Sequence, residues 1–179
     1  MVITLIGYRG SGKTTVARSL AARLGWSWAD ADAVIEESSG CTIKEIFETE
    51  GEGGFRERER RALAELLRRD RLVLAAGGGA ILNRQTRCEM KSAGPVVWLR
   101  ASVAELAARI DSDPATAARR PNLASGGIDE ISRLLAEREP LYRECASLCI
   151  DTDGLAVAEV VEHVTLAVSS PSKKRAGFE

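Results

Sequence analysis

Residues 7–14 read GYRGSGKT, and the chain changes character across them. Before them, VITLI is short, apolar and rich in β-branched side chains, the pattern of a buried strand. After them, Val16, Leu20 and Leu24 recur at helical spacing, which predicts a helix from about residue 12 to 24. Glycines at 7, 10 and 12 let the backbone curl so that successive N–H groups point inward. The helix that follows adds the positive end of its dipole, which favours a bound phosphate. Lys13 brings a mobile charge to the outer phosphates, and the Thr14 hydroxyl suits Mg²⁺. Strand, G-x-x-x-x-G-K-[ST] and helix in that order form a P-loop. A chance match in a chain of this size is on the order of one in a hundred before context is counted. The stretch therefore predicts binding of a nucleoside triphosphate, ATP with Mg²⁺, through Gly10, Ser11, Gly12, Lys13, Thr14 and Thr15.

Around this loop, apolar runs at 2–7, 26–30, 71–79, 95–99 and 147–151 alternate with helical patterns. The helical stretches after the second run break near Gly40 and again at GEGG, 51–54, and Thr42 with Glu45 spells a capping box. Such alternation predicts a parallel sheet with helices on both faces and a ligand site at the carboxyl ends of the strands. One domain over 1–168 is expected, ending in a solvated, unfolded tail, 169–179, while 111–127 is a long polar loop of the kind that is either functional or disordered. With 25 Lys and Arg against 26 Asp and Glu, the net charge of −1 argues against a general nucleic-acid binder. No apolar run approaches the roughly 20 residues a membrane helix needs, and MVITLIG has no basic signal-peptide region, so a cytoplasmic protein is expected. One histidine and four cysteines without a C-x-x-C pair provide no zinc-binding pattern.

A P-loop alone does not separate a kinase from a switch or a motor. The base-reading N-K-x-D of the switches is absent, and DTDG at 151–154 follows the fifth strand, too late to sense a terminal phosphate. The other strand ends carry more. Asp30 and Asp32 close the second run as ADAD, which on an extended strand aims both carboxylates one way. One then organises magnesium through water and the other accepts a substrate hydroxyl, the plainer alternative being a helix cap. Three glycines, 77–79, end the third run, where close backbone approach to a ligand explains them better than a turn. Arg56, Arg119, Arg120 and Arg138 are the guanidinium groups that suit a small anionic acceptor such as a carboxylate. The residues alone thus point to a small-molecule kinase whose acceptor has a hydroxyl and an acid. Gluconate-type and nucleoside-monophosphate kinases stand as rivals within the class, and a nucleotide switch outside it.

Taken together, GYRGSGKTT, DADAVIEESSGCTIKEIFETEGEGGFRERE, GGGAIL, RRPNL and EREPLYRECA resemble shikimate kinases in order and spacing over roughly residues 1–155. The resemblance implies a three-layer α/β/α P-loop kinase fold, a five-stranded parallel sheet in order 2-3-1-4-5, and a mobile lid. It implies transfer of the ATP γ-phosphate to the 3-hydroxyl of shikimate, a step towards chorismate and the aromatic amino acids, by a monomer. By position, Asp32 resembles the aspartate that meets the substrate hydroxyl, and Asp30 the carboxylate associated with magnesium. Arg56 and Arg138 resemble the clamp on the shikimate carboxylate, Gly78 and Gly79 the glycines lining its ring. Arg120 resembles the lid arginine over the phosphates, and Arg109 a residue lying against adenine. Lys13, Asp32 and Arg120 are then the catalytic set.

Overall fold

The computed structural model describes residues 1–112 and 127–169. Five strands, β1 (Val2–Ile6), β2 (Ser27–Asp30), β3 (Leu72–Ala75), β4 (Val96–Arg100) and β5 (Leu148–Asp151), form one sheet. Their order is β2-β3-β1-β4-β5 and every pairing is parallel, the order and direction expected. Parallel neighbours require crossovers, which the helices supply. These are α1 (Lys13–Leu24), α2 (Ala31–Ser39), α3 (Ile43–Leu66), α4 (Arg84–Ala93), α5 (Val103–Asp111), α6 (Gly127–Cys145) and α7 (Val157–Ser169).

Side chains of a strand alternate between faces, so each strand feeds two cores. Ile3, Leu5, Val73, Val97 and Leu99 pack with Val16 and Leu20 of α1 and Val160 and Val164 of α7. Val2, Ile6, Leu72, Leu74 and Trp98 pack on the other face with Leu63 and Leu66 of α3, Met90 of α4 and Tyr142 of α6. Burial on both faces explains why the strands read as unbroken apolar runs. The stacked Trp98–Tyr142 pair, with ring centroids 5.5 Å apart, adds about 0.5–1.5 kcal/mol beyond its burial and fixes α6 against β4. Two smaller clusters flank these cores. Ile35, Ile43, Ile46 and Phe55 join α2 to α3, and Tyr8, Leu106, Ile110 and Ile131 join the P-loop to α5 and α6.

Two strand ends differ from the sequence reading. Helix α2 begins at Ala31, because the Asp30 carboxylate accepts from the N–H groups of Asp32 and Ala33 and caps it. Asp30 therefore ends β2, whereas Asp32 lies in the first helical turn. The third strand stops at Ala75, and residues 78–79 turn into a 3₁₀ segment, Ala80–Leu82. Elsewhere the expected punctuation is present: the Thr42–Glu45 capping box starts α3, and the GEGG break is a kink at Gly51, with φ 70°. Most of the 111–127 loop and the 169–179 tail, with Arg119 and Arg120, lies outside the described residues.

Candidate active site

The P-loop curls between β1 and α1 as its spacing requires. Gly12, at φ 87°, precedes α1, which has neither a side-chain cap nor an acidic residue in its first turn. That end of the helix presents N–H groups and positive dipole with no acidic residue of its own, as an anion site does. Lys13 folds back over the loop, its Nζ donating to the carbonyls of Gly7 at 3.0 Å and Tyr8 at 2.8 Å. The Thr14 hydroxyl donates to Asp30 Oδ2 at 2.5 Å, joining the first turn of α1 to the end of β2. Asp30 thus accepts from Thr14 with one oxygen and caps α2 with the other.

The turn at residues 77–79 is the hub of the second half of the site. A Cβ placed on Gly77 would stand 2.5 Å from Glu59 Oε1 and 3.1 Å from Asp32 Oδ1. Placed on Gly78, it would lie 3.5 Å from Arg9 N and 3.6 Å from Gly7 O, so this turn packs against the P-loop itself. Placed on Gly79, it would collide with the Arg56 guanidinium. From α6, Tyr142 Oη donates to the Gly78 carbonyl at 2.8 Å, and Arg138 Nη1 approaches the same oxygen at 3.5 Å. The Arg138 guanidinium also lies 5.7 Å from the centre of the Tyr8 ring, on the P-loop. Asp32, Arg56, Gly78, Gly79 and Arg138, which the sequence spreads over more than half its length, therefore meet around one turn beside the P-loop. Asp32 arrives from a helix rather than a strand.

Three residues of this arrangement escape the sequence reading. Glu59 is 3% exposed and pairs with Arg56 Nη1 at 2.6 Å. Burial opposes the charge on Arg56, but the Glu59 carboxylate and the hydrogen bonds from Glu59 and Glu52 raise its pKa above the usual arginine value. A signal for Glu59 exists: Phe55, Glu59, Leu63 and Leu66 form the buried stripe of α3, in which one carboxylate replaces an apolar residue. Tyr142 follows Arg138 by one helical turn, and its burial pushes its hydroxyl pKa well up, so it stays a donor to Gly78. Tyr8 is the third, and burial raises its pKa as well, against the pull of Arg138 and Arg9.

Arg109 occupies a separate place. It pairs with Glu105 at 2.8 Å and donates to the Thr152 hydroxyl and carbonyl, beyond the end of β5. That puts it at the carboxyl edge of the sheet, on the β5 side. For a divalent cation, Thr14 and Asp30 offer hard oxygen donors of the type Mg²⁺ prefers.

Residues 9–169 match the shikimate kinase (SKI) family. A shikimate kinase of Rhodopirellula baltica is 44% identical over 167 residues, 93% of this chain and 89% of that protein. One from Francisella tularensis subsp. novicida is 41% identical over 168 residues, 91% and 92% of the two chains. Among solved structures, shikimate kinase from Acinetobacter baumannii in complex with shikimate superposes with a TM-score of 0.83 at 39% identity, covering 93% of this chain and 92% of that one. With the family match spanning residues 9–169 and relatives 41% and 44% identical over nine-tenths of its length, the chain belongs to the shikimate kinase family.

Proposed function

We propose that this chain transfers the γ-phosphate of ATP to the 3-hydroxyl of shikimate, giving shikimate 3-phosphate and ADP. The observation that carries the reading is the meeting of Asp32, Arg56 and Arg138 at one glycine turn that itself touches the P-loop. Phosphoryl transfer asks a protein mainly for positioning and for charge to offset the transferring group. Lys13 and the amides at the start of α1 bind the phosphates. Thr14, and Asp30 through water, would hold Mg²⁺, which would neutralise charge on the outer phosphates. The hydroxyl oxygen attacks the γ-phosphorus as the bond to the β-bridging oxygen breaks. ADP leaves with that electron pair, and Asp32 orients the hydroxyl and takes its proton.

Arg56 and Arg138 hold the acid of the substrate. The exposed Glu52 pair with Arg56 is an i,i+4 contact worth only about 0.3–0.5 kcal/mol, so a substrate carboxylate displaces it at little cost. The buried Glu59 stays and keeps the guanidinium aimed. Arg120 is assigned to the phosphates and Arg109 to the adenine side. The enzyme is assigned as a cytoplasmic monomer with no nucleic-acid or membrane partner. Among the described residues, the exposed large apolar side chains Met1, Trp28, Leu82 and Ile128 come from four different parts of the fold, and Val157 and Leu166 stand nine positions apart on α7.

ADP release measured with shikimate, gluconate, AMP or no acceptor tests the assignment. Turnover only with shikimate is expected. Turnover with gluconate or AMP would give the chain to a rival kinase class, and equal ADP release without acceptor to a plain nucleotidase or switch. A second expectation concerns Gly79. Its alanine variant should still fold, with some loss of stability as the guanidinium shifts against buried Glu59, because the colliding group is the far end of a long side chain. Displacing that guanidinium should raise the KM for shikimate by about tenfold while leaving that for ATP within about twofold. Steady-state kinetics with each substrate varied checks this.

A further inference from the structure

The 3₁₀ segment Ala80–Leu82 continues directly from the glycine turn, and its position sets where Gly78 and Gly79 stand. Ala80 and Ile81 of this segment are buried in one core cluster with Leu63 and Leu66 of α3, but that contact is incomplete. A cavity of about 300 Å³ lies there, walled by Arg56, Glu59 and Leu63 from one side and by Ala80, Leu82 and Thr86 from the other. Polar ties from α4 supplement this burial. Arg87 of α4 is 7% exposed and donates through Nη1 to the carbonyls of Ile81 at 2.7 Å and Leu82 at 3.4 Å. The rest of its fork goes to one carboxylate of α6: Nε reaches Glu144 Oε1 at 3.3 Å and Nη2 reaches Oε2 at 3.0 Å. Lys91, 3.8 Å from Glu144, adds a second cation.

We propose that Arg87 is a positioning residue for the acid substrate, tying the exit of the glycine turn to the helix that carries Arg138 and Tyr142. Arg87 touches no reacting atom. It fixes the spacing between two groups that do: the turn that lines the acceptor and the α6 guanidinium that anchors its carboxylate. Tyr142 secures Gly78 to α6 at the start of the turn, and Arg87 with Glu144 secures Ile81 and Leu82 to α6 at its end. The fork is essential to this job, because one planar group serves two carbonyls and a carboxylate at once. Lysine keeps the charge but cannot span all three.

The inference rests on the proposed shikimate reaction, and its test separates the two. In Arg87→Lys, confirmed as folded by circular dichroism, the KM for shikimate should rise on the order of tenfold, with that for ATP within about twofold. Glu144→Gln, which keeps the acceptor oxygen but loses the charge, should shift the same constant in the same direction by less. Hydrogen exchange of the free protein gives a readout that needs no substrate. The amides of Ala80 and Leu82, which donate to Gly77 and Gly79, should exchange faster in Arg87→Lys than in wild type. An unchanged shikimate KM in an active, folded variant would overturn the proposal, as would an equal rise in both constants. If the wild-type protein shows no shikimate turnover, the proposed reaction fails, and the exchange rates alone decide whether the tie exists.

Discussion

Replacing Asp32 with Asn should leave a folded enzyme whose kcat with shikimate is lower by about 10²- to 10⁴-fold, the range for loss of a positioned proton acceptor. The substitution preserves shape and removes only the charge and basicity. Because Asp32 lies against the glycine turn rather than in a core cluster, thermal stability should change little. The effect should fall on kcat, since orientation and deprotonation of the hydroxyl matter most as the O–P bond forms. Steady-state kinetics with both substrates saturating checks it. A kcat within about twofold of wild type would remove Asp32 from the chemistry and leave it a helix-terminal acid.

The second large effect is expected at Arg138. Its alanine variant should show a shikimate KM raised by about 10- to 100-fold, the loss of one charge-assisted contact of roughly 1.5–3 kcal/mol. The ATP constant should stay nearly unchanged. Tyr142 still holds Gly78 in that variant, so the turn keeps its place and the loss reports on the guanidinium. A methyl ester of shikimate, which has no carboxylate charge, provides the control. It should be a poor substrate for wild type and variant alike, so that the gap between the two enzymes nearly closes. An Arg138→Ala enzyme with an unchanged KM for shikimate, or a gap that persists with the ester, would dissolve the carboxylate clamp. Arg56 is a poorer first choice, because its removal strands the buried Glu59 without its guanidinium and destabilises the fold for a separate reason.

These expectations rest on a site that was unevenly legible in one dimension. The P-loop stood out because its chemistry is local: glycine spacing, lysine and hydroxyl all lie within eight residues, and strand and helix flank them. The strands stood out because burial on both faces makes them unbroken apolar runs. Asp32 was harder to place. An aspartate after a short strand suits either a strand end or a helix start, and the hydrogen bonds of Asp30 to two backbone amides decide for the helix. The third strand was carried four residues past its end, because glycines carry no side-chain pattern that marks where pairing stops. Glu59 was harder still. It sits in FRERERR, where alternating charges resemble any solvated helix face, and only packing against the 77–79 turn sets it apart from Glu57, which pairs with Arg60 and Arg61 at the surface.

By itself, the chain's sequence determined the nucleotide loop, the alternation of strands and helices, and hence a cleft at the carboxyl edge of a parallel sheet, since each follows from interactions between near neighbours. Which carboxylates and guanidinium groups enter that cleft was decided only by the tertiary structure. Arg56 meets Gly79, Arg138 meets Gly78, and Arg87 meets Glu144 across 57 positions. A charge on a helix costs little in water and much when buried, and burial depends on partners that the fold brings from far along the chain.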